Sequence, residues 1–93
     1  MKIKLVKATR VEALPDYRLR TEFSDRTYGV TDLSDFILSG GAMVEPLKDA
    51  AFFARVFIDM GVPTWPNGLD VDPTNLRMEL EARGELRPVS EAA

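Results

Sequence analysis

Hydrophobic and polar residues alternate most cleanly between Tyr17 and Phe23. Tyr17, Leu19, Thr21 and Phe23 fall on one side, and Arg18, Arg20 and Glu22 on the other. A period of two places successive side chains on opposite faces of a strand, so the segment predicts a strand with an aromatic-aliphatic inner face and a charged outer face. Upstream, Ile3 and Leu5 are interleaved with Lys2 and Lys4, and the run continues to Leu14. Val6 to Ala8 breaks the alternation, which predicts a bulge or a strand that starts later. Leu14-Pro15-Asp16 reads as a turn, because proline presets one backbone dihedral and aspartate can bond its own backbone. Ser24-Asp25-Arg26 is the next turn, followed by Thr27 to Leu33, where Tyr28 and Val30 alternate with Gly29 and Thr31. So short a connection predicts a hairpin, and the N-terminal half reads as a three-strand antiparallel meander.

After Leu33 the period changes. Ser34 is a candidate cap for a short helix through Phe36, Ile37 and Leu38, which Gly40-Gly41 would end. Two turns are not stable alone, so this piece must pack on the sheet. Asp49 reads as a second cap, before Ala50 to Ala54 with Phe52 and Phe53. Arg55 to Asp59 has apolar groups on both faces, which predicts a strand interior to the sheet or covered on each side. Met60-Gly61 turns the chain, and Val62 to Trp65 returns, shortened by Pro63 and Pro66. Asp72-Pro73 opens a last helix with Leu76 and Leu80 one turn apart, Met78 to one side, and Arg83-Gly84 as its stop. Residues 85–93, with Pro88 and few apolar groups, read as a frayed tail. The expected fold class is α+β: a small, mainly antiparallel sheet, made of the meander and one or two further strands, packed with two or three short helices. One domain over residues 1–84 carries it.

The totals narrow the chemistry. Ninety-three residues, 45% hydrophobic and 29% charged, fit one globular domain. The longest apolar stretch, Ala50 to Ile58 around Arg55, is far below the roughly 20 residues that cross a bilayer. The charges at Lys2 and Lys4 leave no signal-peptide core, so a cytoplasmic protein without membrane contact is the expectation. The absence of cysteine excludes disulfides and zinc-thiolate sites. The absence of histidine removes the commonest general base and metal ligand, and with it any Ser-His-Asp triad on Ser34. A non-catalytic protein with no cofactor or metal follows as the expectation. The net charge of −3 is uneven: residues 1–26 hold seven basic and four acidic groups, residues 27–93 five and eleven. The overall sign disfavours nucleic acid, while the asymmetry reads as a solvated surface whose charges mix on folding, or as a face for a charged protein partner or a homodimer.

Three constellations carry candidate chemistry. The densest is Trp65-Pro66-Asn67-Gly68-Leu69-Asp70-Val71-Asp72, around the only tryptophan. Trp65 with Asn67 and Asp70 reads either as a binding hot spot in a cleft, the centre of a small-ligand-binding domain or an enzyme, or as a core anchor beside a chain reversal. Asn67, Asp70 and Asp72 have the oxygen chemistry of a calcium loop but too few ligands, and a helix start follows instead of the distal bidentate carboxylate. Arg18 and Arg20, on the outer face of the clearest strand, form a small basic patch with Lys4 or Arg10 near by. It reads as an interaction surface, or as charges paired with Glu12 or solvated beside Glu22. Gly40-Gly41 lacks the Lys-Ser/Thr ending and the strand–loop–helix setting of a phosphate loop.

The order of motifs resembles domain-of-unknown-function family 2442, a family of short bacterial proteins. Asp16-Tyr17-Arg18-Leu19, Phe23-Ser24-Asp25, Asp32-Leu33, Pro46-Leu47-Lys48-Asp49 with Phe52-Phe53, and Trp65-Pro66-Asn67-Gly68 with Asp70 and Pro73 carry the resemblance, over roughly Val11 to Leu76. It implies a small α+β fold in a bacterial cytoplasm and assigns no catalytic residue. Some relatives add a C-terminal helix-turn-helix domain, and others are encoded beside a second small protein, which implies a regulatory or antitoxin-like setting. DNA binding does not carry over to these residues. One position departs from the family: Arg26 stands where glycine usually follows Ser-Asp, which predicts a different turn type or a longer loop.

Overall fold

A computed structural model describes residues 3–92. Met1 and Lys2, at the start of the alternating N-terminal run, and Ala93, at the end of the expected tail, lie outside the described residues. The meander forms as the alternation predicts: β1 (Ala8–Leu14), β2 (Arg18–Phe23) and β3 (Thr27–Asp32) pair antiparallel in that order. β1 starts at Ala8, and its register shifts between Ala8 and Arg10, so both the late start and the irregularity are present.

Leu19, Thr21 and Phe23 of β2 are buried. Residues opposite one another share a face, so Val11 and Ala13 of β1 and Gly29 and Thr31 of β3 also point inward. Tyr28 and Val30, the larger members of the β3 alternation, therefore face outward. The reason is a close approach. A Cβ on Gly29 would lie 2.6 Å from Leu80 Cδ1, so the last helix crosses the sheet where β3 has no side chain.

The connections use left-handed backbone at residues other than glycine. In the β1–β2 loop Asp16 and Tyr17 take φ of 64° and 59°, and Tyr17 belongs to the loop rather than to the strand. In the β2–β3 loop the Arg26 N–H donates to the Phe23 carbonyl at 3.0 Å, closing a three-residue connection, with Arg26 at φ 67°. Arg26 thus adopts the backbone glycine would take there, at a cost of about 1 kcal/mol.

The second half packs on the inner face. It comprises α1 (Ser34–Leu38), a 3₁₀ turn (Glu45–Lys48), α2 (Ala50–Phe53), β4 (Phe57–Asp59), β5 (Val62–Thr64) and α3 (Pro73–Ala82). Asp49 and Asp72 cap α2 and α3, accepting from the N–H groups of Ala51 and Thr74 at 3.0 Å each. Ser34 does not cap α1; the carboxylate of Asp32 accepts the Ser34 N–H at 2.8 Å instead. The segment expected as an interior strand is shorter and lies elsewhere. β4 and β5 form a separate two-stranded hairpin with Phe57 exposed, attached through the Ala8 N–H to the Gly61 carbonyl at 2.8 Å. Its turn, Met60-Gly61, has φ of 51° and 81°, the pair of positive values that a two-residue hairpin needs.

Part of the segment expected as a tail pairs with the sheet. Arg87–Pro88 form β6 against Thr27 and Tyr28 of β3, and the Val89 N–H donates to the Arg26 carbonyl at 2.9 Å. Leu86, half-buried against the last helix, anchors the return. The result is an α+β domain with a four-stranded sheet, β1-β2-β3-β6, and a satellite hairpin.

The core has two parts. The larger gathers Leu19, Leu33, Ile37, Leu47, Phe53 and Trp65, and the smaller Val6, Phe23, Leu76 and Leu80. Thr21 and Thr31 lie buried on the same sheet face, and neither hydroxyl has a protein partner.

Candidate functional site

β2 carries its charges outward because its apolar residues are claimed by the core. Arg18 is exposed, and its Nε–H donates to the Pro15 carbonyl at 3.1 Å. Arg20 is more constrained. Its guanidinium meets Glu22 Oε2 at 2.6 Å and stacks over the Tyr28 ring at 4.4 Å from the centroid. The two residues on a strand face therefore pair along the strand, i to i+2, and among the described residues Glu12, directly opposite Arg20, forms no ion pair with it. A planar guanidinium held between a carboxylate and an aromatic face is preorganised, with little side-chain entropy left to lose on contact. Arg18 faces Asp32 across the β2–β3 pair; hydrogen bonds from Ser34 and then the charge of Arg18 hold the Asp32 carboxyl below the usual carboxylate range.

The tryptophan loop behaves differently. Trp65 is fully buried, and its indole N–H donates to the Phe53 carbonyl at 2.9 Å. The Trp65 N–H meets the Leu69 carbonyl at 2.8 Å, and the Gly68 N–H returns to the Trp65 carbonyl at 2.9 Å. Asn67 stitches this reversal to the rest of the chain: its Nδ2 donates to the Met43 carbonyl at 2.9 Å, and its Oδ1 accepts the Leu69 N–H at 3.2 Å. Asp70 alone of the three stays exposed. Of the two readings of this motif the core anchor holds: the indole offers no surface and the Asn67 amide is occupied at both ends, so no one cleft holds Trp65, Asn67 and Asp70.

An ion-pair cluster around Asp25, expected only as a turn residue, is more central. Arg77, buried on α3, donates from Nε to Asp25 Oδ2 at 2.8 Å, with Lys4 Nζ at 3.2 Å from the same oxygen. Asp25 Oδ1 accepts from the Thr27 hydroxyl at 2.6 Å and the Thr27 N–H at 3.3 Å. Burial pushes the Asp25 carboxyl up, but the bonds from Thr27, Arg77 and Lys4 outweigh it and lower the value to about 2. The sequence signal was present: Arg77 adjoins Leu76 on the buried stripe of α3, where a cation needs a buried partner.

A cleft of about 430 Å³ lies between the β1–β2 loop and α2, walled by Tyr17, Leu14, Ala50 and Phe53. Its only charged lining residue is Asp16. The Tyr17 hydroxyl, bonded to the Lys48 carbonyl at 2.5 Å, ties the loop to the helical side.

The family model described as protein of unknown function (DUF2442) matches residues 8–82, from the first residue of β1 to the last of α3. The chain belongs to this family. No curated protein and no solved structure matches it. The family description assigns no function, but the geometry explains its motifs. Leu47, Phe53 and Trp65 fill the core, Asp25 binds Arg77, Asp49 caps α2, and Asn67 holds the Trp65 loop. The motifs that identify the family are largely what folds it. Arg18 is a motif residue left exposed on the outer face. Among the described residues no helix is long and apolar enough to cross a membrane.

Proposed function

We propose that this domain is a non-catalytic protein-interaction module of regulatory character, working in a bacterial cytoplasm through the outer face of its four-stranded sheet. One observation carries the reading. α1 and α3 and the Trp65 loop all contribute to the inner face, while the outer face presents Arg18 beside the preorganised Arg20–Glu22–Tyr28 group. Arginine and tyrosine are the residue types that dominate interface energetics. The acidic groups Glu12, Glu22 and Asp32 on the same face oppose a phosphate backbone and favour a protein of mixed charge, either a second copy or the product of an adjacent gene. The resemblance to short bacterial proteins supports the compartment.

The test is solution mass by analytical ultracentrifugation, for the protein alone and mixed with each purified neighbouring gene product. A complex is expected that Arg18→Glu with Tyr28→Ser weakens at least roughly tenfold, as loss of an interface anchor does. A monomer that associates with none of them, or a complex indifferent to both substitutions, overturns the reading. Binding to duplex DNA with a steep salt dependence would replace it with a nucleic-acid role.

A further inference from the structure

On the helical side of the domain, away from the outer sheet face, apolar side chains are exposed for a reason set in the backbone. Val6 is buried in the smaller core and fixed to α3, its N–H donating to Thr74 Oγ1 at 3.2 Å and its carbonyl accepting from the same hydroxyl at 3.3 Å. Lys4 is drawn to Asp25. With Val6 turned inward, the period of an extended chain turns Leu5 out, and Ile3 and Leu5 are 57% and 82% exposed. They meet Met78, itself 39% exposed, in a cleft of about 380 Å³ along α3.

A second cleft of about 320 Å³ lies on the other side of Asn75, with an apolar floor of Leu33, Phe36, Val71 and Leu76. Asp72 and Asn75 line both clefts, so the two are one continuous surface. Its polar margin is Asp70, Asp72 and Glu79, all exposed, and among the described residues no lysine or arginine lines either cleft. An apolar floor under a carboxylate margin fits a side chain with an aliphatic stem and a cationic head. A second copy is a poor occupant. Asp72 stands where the clefts join, and a two-fold contact centred there sets carboxylate against carboxylate.

We propose that this flank of α3 is a docking surface for a basic, amphipathic segment of a partner protein, with an apolar residue on Leu5 and Met78 and a lysine or arginine between Asp70 and Glu79. It is independent of the outer sheet face and stands or falls separately from it.

The probe is a synthetic peptide alternating lysine and leucine, compared with its glutamate–leucine counterpart, followed by amide chemical shifts and affinity. The lysine peptide is expected to shift Leu5, Asn75, Met78 and Glu79, and the glutamate peptide to bind nowhere. Asp70→Asn with Glu79→Gln should weaken binding roughly tenfold or more, the size of one lost charge pair. Leu5→Ser should weaken it at high salt as well, where a purely electrostatic association has already faded. Arg18→Glu, on the outer face, should leave it unchanged. All four positions are exposed, so the fold is retained. Shifts scattered over unrelated acidic residues such as Glu45, affinity indifferent to the groove substitutions, or dimerisation through Leu5 and Met78 would each overturn the proposal.

Discussion

The two ends of the core are built on different principles. Around Trp65 the packing is dense and apolar: Phe53 lies 5.8 Å from the indole, Tyr17 meets Phe53 edge-on at 5.7 Å, and Leu19, Ile37 and Leu47 complete the cluster. Around Phe23 only Val6, Leu76 and Leu80 are fully engaged, and the same end holds the buried Arg77–Asp25 pair. Where apolar material is plentiful, polar groups only orient it, as the Trp65 N–H does on the Phe53 carbonyl. Where it is scarce, a charge pair pins the β2–β3 turn to α3. Such a pair adds little net stability over an apolar replacement, but breaking one side of it is costly. The two ends should therefore respond differently to substitution.

Trp65→Ala should show the largest effect, a loss of about 3–5 kcal/mol in urea unfolding followed by circular dichroism. In a domain of this size such a loss removes a large part of the total stability. Arg77→Ala should cost about 3 kcal/mol, because Asp25 is then left buried with only Lys4 and Thr27. Arg77→Met combined with Asp25→Asn should recover most of that loss, whereas no second substitution at Phe53 should rescue Trp65→Ala. If the double variant is as unstable as Arg77→Ala, the contrast between the two ends fails.

Acid should also divide them. The Asp25 carboxyl is lowered from 3.8 to about 2, so its contribution is complete above pH 4 and lost as pH falls toward 2. The parent should lose stability across that window, and Asp25→Asn should titrate more weakly there. Smaller effects lie at the seams. Arg26→Gly should gain about 1 kcal/mol by relieving the left-handed backbone at φ 67°. Thr21→Val should be neutral or stabilising by about 0.5–1 kcal/mol, since the Thr21 hydroxyl is buried without a protein partner. A marked loss would reveal a bridging water between Thr21 and Thr31.

Much of this fold was legible in the sequence because its signals are local. The period of two in β2, the aspartate caps at Asp49 and Asp72, the Met60-Gly61 turn and the Leu76–Leu80 stripe each act within a few residues, and all appear where expected. What the sequence left open or misplaced needed information from distant segments. Which face of β3 is buried depends on Leu80 passing over Gly29, some 50 residues later. Tyr28 and Val30 are thereby turned outward against their hydrophobicity. The segment at β4 reads as interior from its own residues, yet it becomes a satellite hairpin because the Ala8 N–H meets Gly61 rather than a full ladder. Of the candidate site, Arg18 and Arg20 were visible as an outward pair, but the stacking on Tyr28 was not, since it requires the β3 face to be known. At Trp65 the choice between hot spot and core anchor falls to the anchor, because the single polar atom of its side chain is bonded internally.

The short strand β6 has a consequence for self-association. β3 would otherwise end the sheet with an open row of backbone donors and acceptors beside Thr27 and Tyr28, a template for any extended chain. Two residues, Arg87 and Pro88, cover it, and proline brings no N–H of its own to the ladder. So slight a cover acts as a removable guard. A chain cut after Ala82 keeps every residue matched to the family and still presents a raw sheet edge, one that a neighbouring molecule could extend. The residues beyond the family match thus bear on whether the domain stays single at high concentration.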